Sequence, residues 1–178
     1  MNKKRFPLPK VYGLLEPGPV LLLTTAHRGQ RDVMPMSWHS LLGFDPPLVS
    51  CVVSAGNESQ RLLKASGQCV LNIPTAELAR QVVACGNCHA SQGDKFDRFQ
   101  LATRPASQVE APLLDACYAS LECQVVDTRM VRRYEQFVLE VVAAWVDAGV
   151  RDPRTLHHRG HGRFMVAGDT IRLPSKMR

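Results

Sequence analysis

Aromatic side chains are scarce in this chain: 6% of its 178 residues, with two tryptophans among them. A platform that stacks nucleic-acid bases needs more of them. The net charge of +6 points to the same exclusion, because the basic residues are scattered and form no Lys/Arg block with interleaved aromatics. A solvated surface, with some cations for a phosphate-bearing ligand, is the expected use of that charge, and no nucleic-acid partner is expected. Long apolar runs are missing as well. The longest, 19–25 and 137–146, fall far short of the roughly 20 residues a membrane-spanning helix requires, so no membrane association is expected. Met1-Asn2-Lys3-Lys4-Arg5 begins like the charged start of a signal peptide, but Pro7, Pro9 and Lys10 stand where its apolar region belongs. The expected location is therefore cytoplasmic. No G-x-G-x-x-G follows a strand pattern, which disfavours a dinucleotide-binding Rossmann unit. Neither an internal repeat nor a low-complexity linker is visible. The chain reads as a single domain, 1–178, with a Pro/Gly-rich extended lead-in over 1–18.

What is present is strand-forming sequence. The β-branched and leucine run 20–25 predicts a buried strand, the stretch 27–30 a turn, and 32–38 a returning strand in which Pro35 marks an edge or a bend. Residues 44–47 read as a loop and 48–53 as a third strand. Asn57, with Gln60 three residues on, has the form of a capping box opening a helix over 58–66, stopped by Gly67. A strand over 69–73 follows, then a helix over 77–85 capped by Thr75, then a polar loop over 86–99. The segments 118–126 and 134–145 suit long antiparallel strands separated by a polar stretch. A Gly/His-rich loop at 157–162 precedes a short terminal hairpin of 164–166 with 170–173, turning at Gly168-Asp169. The fold class is mostly β with short helices: an antiparallel barrel.

Six cysteines in a cytoplasmic chain read as reduced thiols. Cys51, Cys69, Cys117 and Cys123 lie in apolar or alternating segments and suit small buried hydrophobes. Cys85-Gly86-Asn87-Cys88-His89 has the C-x-x-C-H form of c-type haem attachment. The missing export signal argues against haem, and the lack of a second ligand pair at matching spacing argues against zinc. No metal site is expected. A redox-active Cys85–Cys88 pair and two ordinary thiols near a helix end both stay open.

Several segments, in order and across nearly the whole chain, resemble the flavin reductase-like family of FMN-binding split barrels, and within it the flavoredoxin-like branch. They are Asp32-Val33-Met34-Pro35-Met36-Ser37-Trp38, Asp45-Pro46-Pro47-Leu48, Asn57-Glu58-Ser59, Val70-Leu71-Asn72-Ile73-Pro74, Gly93-Asp94-Lys95-Phe96, Ala111-Pro112-Leu113, Leu121-Glu122-Cys123, Phe137 through Val142, and Gly160-His161-Gly162-Arg163-Phe164. Asp32 stands where the branch usually carries Asn, and Tyr134 where it often carries His. The resemblance implies an FMN-binding split β-barrel and a homodimer with the cofactor near the subunit interface.

Each part of FMN makes its own demand. Its phosphate wants oriented N–H donors, hydroxyls and a cation. Ser54, Asn57 and Ser59 surround a helix N-terminus, where free N–H groups and the dipole favour an anion, and Arg61 adds a cation. The ring is flat and apolar with a polar edge. The strand carrying Asp32, Met34, Met36, Ser37 and Trp38 can offer peptide groups to that edge, and Trp38 can wall the site. Lys95 near the ring would raise the reduction potential; alternatively it is a surface lysine paired with Asp94 or Asp97. The family pattern also implies Tyr134 and Phe164 at the cofactor, with Arg163 or His158 meeting the phosphates of NADH or NADPH. Hydride transfer to flavin needs no protein nucleophile, so no catalytic base is assigned. The function so implied is an NAD(P)H-dependent flavin reductase. A flavoredoxin-like electron carrier with bound FMN and a flavin-binding sensory module are the alternatives.

Overall fold

The computed structural model describes residues 18–174; apart from Gly18, the lead-in read from the sequence lies outside them. Seven strands form one antiparallel sheet. They are β1 (Leu21–His27), β2 (Gln30–Met36), β3 (His39–Phe44), β4 (Pro47–Val52), β5 (Gln68–Ile73), β8 (Ala119–Asp127) and β9 (Gln136–Val146). Their order is β2-β1-β5-β8-β9-β4-β3. The two edges are thus consecutive in the chain, and the split lies between β2 and β3. The sheet curls enough that Met36 near one edge and Val49 and Cys51 beside the other share one core cluster with Leu21, Leu23, Phe137 and Leu139.

Alternation along β1 shows how both faces are used. Leu21 and Leu23 point into that interior cluster. Val20 and Leu22 point the other way, into a second cluster with Val82, Cys85, Phe96, Leu114 and Leu156. A strand buried on both faces reads as a continuous apolar run, which is why this segment was so legible. Each fully buried Leu contributes roughly 1.5–3 kcal/mol.

Short elements complete the two clusters. α1 (Glu58–Ser66) lies against β1 and β2 and gives Leu63 to the interior one; the elements that follow build the outer one. A tight helical turn at Ala76–Leu78 leads into α2 (Ala79–Gly86), and α3 (Lys95–Arg98) follows. Gly86 brings α2 close to β2: a Cβ there would stand 3.0 Å from the Pro35 ring, so a larger residue would require that ring or the helix end to shift by a few tenths of an ångström. The small ladder of β6 (Thr103–Arg104) with β7 (Leu113–Leu114), the single turn α4 (Val131–Tyr134), and a hairpin of β10 (Leu156–His158) with β11 (Phe164–Val166) complete the described residues. No helix among them is long and apolar enough to cross a membrane.

Several local expectations need correction. β3 was not foreseen, and its last residue, Phe44, was read as the start of a loop. Asn57 occupies the N-cap position of α1, but its side chain makes no cap; its amide donates to the Ser54 carbonyl at 3.2 Å. Gln60 donates to the Val53 carbonyl at 2.6 Å instead of closing a capping box. Thr75 does not cap either, its hydroxyl being taken by the Glu77 carboxylate. The 86–99 loop contains α3, capped by Asp94 through Phe96 N–H at 2.7 Å. Tyr134 ends α4 rather than opening a strand. β11 pairs with β10 and not with 170–173, which carries no strand.

Candidate functional site

A cavity of about 440 Å³ opens where β2 ends, between the sheet, α2 and the β10–β11 hairpin. This is within the range of small-molecule and cofactor sites. Its floor is Met34, Pro35 and Met36 of β2, with Ser37 and Trp38 of the following link. Val20, Val52 and Ser54 close one flank, Val82, Val83, Gly86 and Asn87 of α2 form the opposite wall, and His158, Gly162 and Phe164 form the roof. The roof is itself packed, since the rings of His158 and Phe164 lie 5.2 Å apart and tilted by 48°. Val20 N–H donates to the Leu156 carbonyl at 2.7 Å and ties the hairpin to the start of β1.

Two features of this cavity bear on chemistry. Its walls are mostly aliphatic and aromatic, which suits an apolar body. Its floor is an edge strand, and an edge strand leaves alternate N–H and C=O groups without a neighbouring strand. A ligand with a polar rim can take up those peptide groups.

Of the residues singled out from the sequence, Met34, Met36, Ser37, Trp38, Ser54 and Phe164 line this cavity. Asp32, Ser59 and Lys95 are brought together elsewhere. Lys95 Nζ is 2.9 Å from Asp32 Oδ1 and donates to the Val33 carbonyl at 2.9 Å. Ser59 Oγ donates to Asp32 Oδ2 at 2.6 Å. All three side chains are buried. The surface-lysine alternative is overturned: Arg31 takes Asp94 and Asp97, at 2.8 and 3.2 Å, leaving Lys95 to turn inward under β2.

Asn57 lies beside the cavity's Ser54 through its N–H bond to the Ser54 carbonyl, 3.0 Å. The first N–H groups of α1, which no turn of the helix can satisfy, follow directly. At this corner Ala55 N–H donates to the Glu135 carboxylate at 2.7 Å. Arg61 is engaged by Glu58 and by Gln30. Tyr134 is half exposed, with the Arg133 guanidinium 5.1 Å from its ring, and is not among the cavity's lining residues.

The α2 wall went unrecognised as part of a site. Its signal was the helical spacing of Val82 on the face also bearing Leu78 and Cys85, which reads as core. Val82 is in fact both, buried in the outer cluster and lining the cavity. Among the described residues no group of three His, Cys, Asp or Glu side chains is placed to hold a metal ion.

Comparison with known proteins agrees with this geometry. The flavin reductase like domain model matches residues 14–165. The uncharacterized protein YddH of Escherichia coli is 28% identical over 172 residues, covering 89% of this chain and 91% of that protein. An FMN-binding domain of a flavin reductases-like enzyme from Shewanella baltica superposes with a TM-score of 0.83 at 24% identity, covering 95% and 96% of the two chains. Flavoredoxin of Desulfovibrio vulgaris gives 0.84 at 20% identity, covering 97% of each. The architecture is thus an antiparallel FMN-binding-type split barrel, and the chain belongs to the flavin reductase like domain family.

Proposed function

We propose that this chain binds FMN in the cavity between β2, α2 and the β10–β11 hairpin, and that it is an NAD(P)H-dependent flavin reductase. The observation that carries the reading is the apolar slot floored by an edge strand, which suits a flat ring with a hydrogen-bonding rim. Bound there, FMN would supply two-electron acceptor chemistry at its N5. Trp38 and Phe164 hold the ring from the link and the roof. The outer peptide groups at the end of β2 orient its polar edge. Ser54 and the N-terminus of α1 receive the phosphate. Asp32, the acid standing where the branch usually has an amide, has its charge balanced by Lys95 at 2.9 Å, so it does not repel an electron-rich ring. His158 in the roof and Arg163, next to Phe164 in the chain, are the groups we assign to the phosphates of the nicotinamide donor.

The test is the visible spectrum of the purified protein, before and after anaerobic NADH or NADPH. A two-band yellow spectrum bleached by the nicotinamide is the expected result. Bleaching by dithionite alone would replace the reductase with an electron carrier. A colourless protein that also refuses added FMN would overturn the cofactor assignment. Phe164→Ala removes the roof's ring and is expected to weaken FMN binding roughly tenfold, about 1.4 kcal/mol, in a fluorescence-quenching titration.

The homodimer belongs to the same proposal. β3 is an open edge, yet Leu41 is 76% and Phe44 93% exposed, with Trp38 at 57% beside them. An exposed apolar edge strand calls for a cover, and a second copy would bring that cover to Trp38. Phe44→Glu is expected to shift the sedimentation coefficient from dimer to monomer; a wild-type chain that sediments as a monomer at every concentration would refute the pairing.

A further inference from the structure

The flavin reading leaves Cys85-Gly86-Asn87-Cys88 unused, yet this segment forms part of the cavity wall. Gly86 and Asn87 line the cavity, and the two cysteines flank them, both buried. We propose that Cys85 and Cys88 are a redox-active dithiol that exchanges two electrons with the flavin in the adjoining cavity; the exchange rests on the FMN reading above.

The backbone brings the pair together. α2 ends at Gly86, but Asn87 keeps a near-helical conformation (φ −89°, ψ −2°) and its N–H reaches the Val83 carbonyl. Cys85 and Cys88 are therefore three residues apart along a continued helical turn. At that spacing β-carbons lie roughly 5–6 Å apart, whereas a disulfide needs about 3.5–4.5 Å, so closing the bond requires this last, non-regular turn to tighten by roughly 1–2 Å. Their charges would be felt mutually: Cys88 is one of the groups that raise the Cys85 pKa, after burial and Asp32.

The two sulfurs differ in surroundings. Cys88 Sγ lies 3.5 Å from Arg98 Nη1, a cation beside this sulfur, so Cys88 is placed to be the attacking member of the pair. Burial pushes the Cys85 thiol up to about 11, which keeps it protonated until its partner has reacted. On oxidation both S–H bonds break and one S–S bond forms. The electron pair and one proton are taken up by oxidised FMN, and the second proton leaves to solvent. The reverse step regenerates the dithiol from the reduced flavin.

The full chain stripped of flavin, treated with diamide and then unfolded in denaturant for counting, is expected to fall from six titratable thiols to four. The peptide spanning 81–95 should then have lost two hydrogens, and neither Cys85→Ser nor Cys88→Ser should show that loss. With FMN bound and the protein preoxidised, anaerobic dithionite should deliver four electrons per flavin to the wild type and two to Cys88→Ser. Six thiols persisting under diamide would overturn the dithiol. Two electrons in the wild type would overturn the exchange. A crosslink in a protein that refuses FMN would keep the dithiol but remove the flavin reading, and the exchange with it.

Discussion

Lys95→Met is expected to lower folding stability by about 3–5 kcal/mol, the cost of breaking a buried ion pair by removing one partner. Methionine keeps much of the lysine stem but takes away the ammonium. The Asp32 carboxylate, 3% exposed, is then left with the Ser59 hydroxyl, and the Val33 carbonyl loses its donor. For a chain of this size the melting temperature should drop by roughly 10 °C. Asp32→Asn is expected to be costly for the opposite reason, leaving an ammonium buried among apolar groups. The double variant Asp32→Asn/Lys95→Met removes both charges and should recover most of the loss, because a buried pair is worth little against neutral groups of similar shape. Urea unfolding of the four proteins closes the cycle. A Lys95→Met loss under about 1 kcal/mol would mean that water reaches the pair and that the outer edge of β2 is open at this point.

Glu122→Gln is the second large effect, expected at about 2–3 kcal/mol near neutral pH. Glu122 is fully buried on β8 and forms no ion pair among the described residues. Its oxygens instead accept from Ser107 N–H at 2.9 Å, Gln108 N–H at 2.6 Å, the Ser107 hydroxyl at 3.1 Å and the Trp145 indole N–H at 2.6 Å. The carboxylate thereby holds the 107–108 loop and the far end of β9 to the sheet. An amide keeps one acceptor oxygen and turns an NH₂ group toward the remaining donors. Burial alone would raise the carboxyl pKa, but the Ser107, Trp145 and Gln108 donors outweigh it and hold it below the usual range. The folded value then lies under the unfolded one, near 4.3. The stability this carboxylate contributes is present above that unfolded value and is lost as pH falls through the folded one. Wild type should therefore lose stability more steeply than Glu122→Gln as pH falls below about 4.5. Parallel stability–pH curves from urea melts would refute the assignment.

The sheet was legible wherever one physical signal dominated. β1 is buried on both faces, and its unbroken apolar run said so. Pro35 marked β2 as an edge or a bend, and the edge is what the sheet order shows. β3 was missed because His39–Phe44 turns Leu41, Leu42 and Phe44 outward, so its apolar residues do not mark a core. The terminal hairpin was mispaired because Gly168-Asp169 has good turn chemistry, whereas the chain reverses at Gly160-His161-Gly162, three successive residues with positive φ. Nothing local could reveal the Asp32–Lys95 pair, whose members are far apart in the chain and meet only when α3 docks against β2. The Asn57–Gln60 capping box failed for a related reason: Gln60 is buried and its amide answers the Val53 carbonyl. On the cavity side, the Met34–Trp38 segment and Phe164 were recognisable by resemblance. The α2 wall was not, since a residue that fills a core and one that lines a ligand share the same spacing.

The roof of the cavity has a consequence for the order of events in biosynthesis. A chain emerging N-terminus first has every strand of the main sheet once Val146 is out, but the Val20–Leu156 tie and the Phe164 ring come later. Closing that tie joins segments from opposite ends of the described chain, a slow kind of contact to form. The cavity is thus the last part of the described fold to be completed: its floor and α2 wall are synthesised well before the residues that roof it.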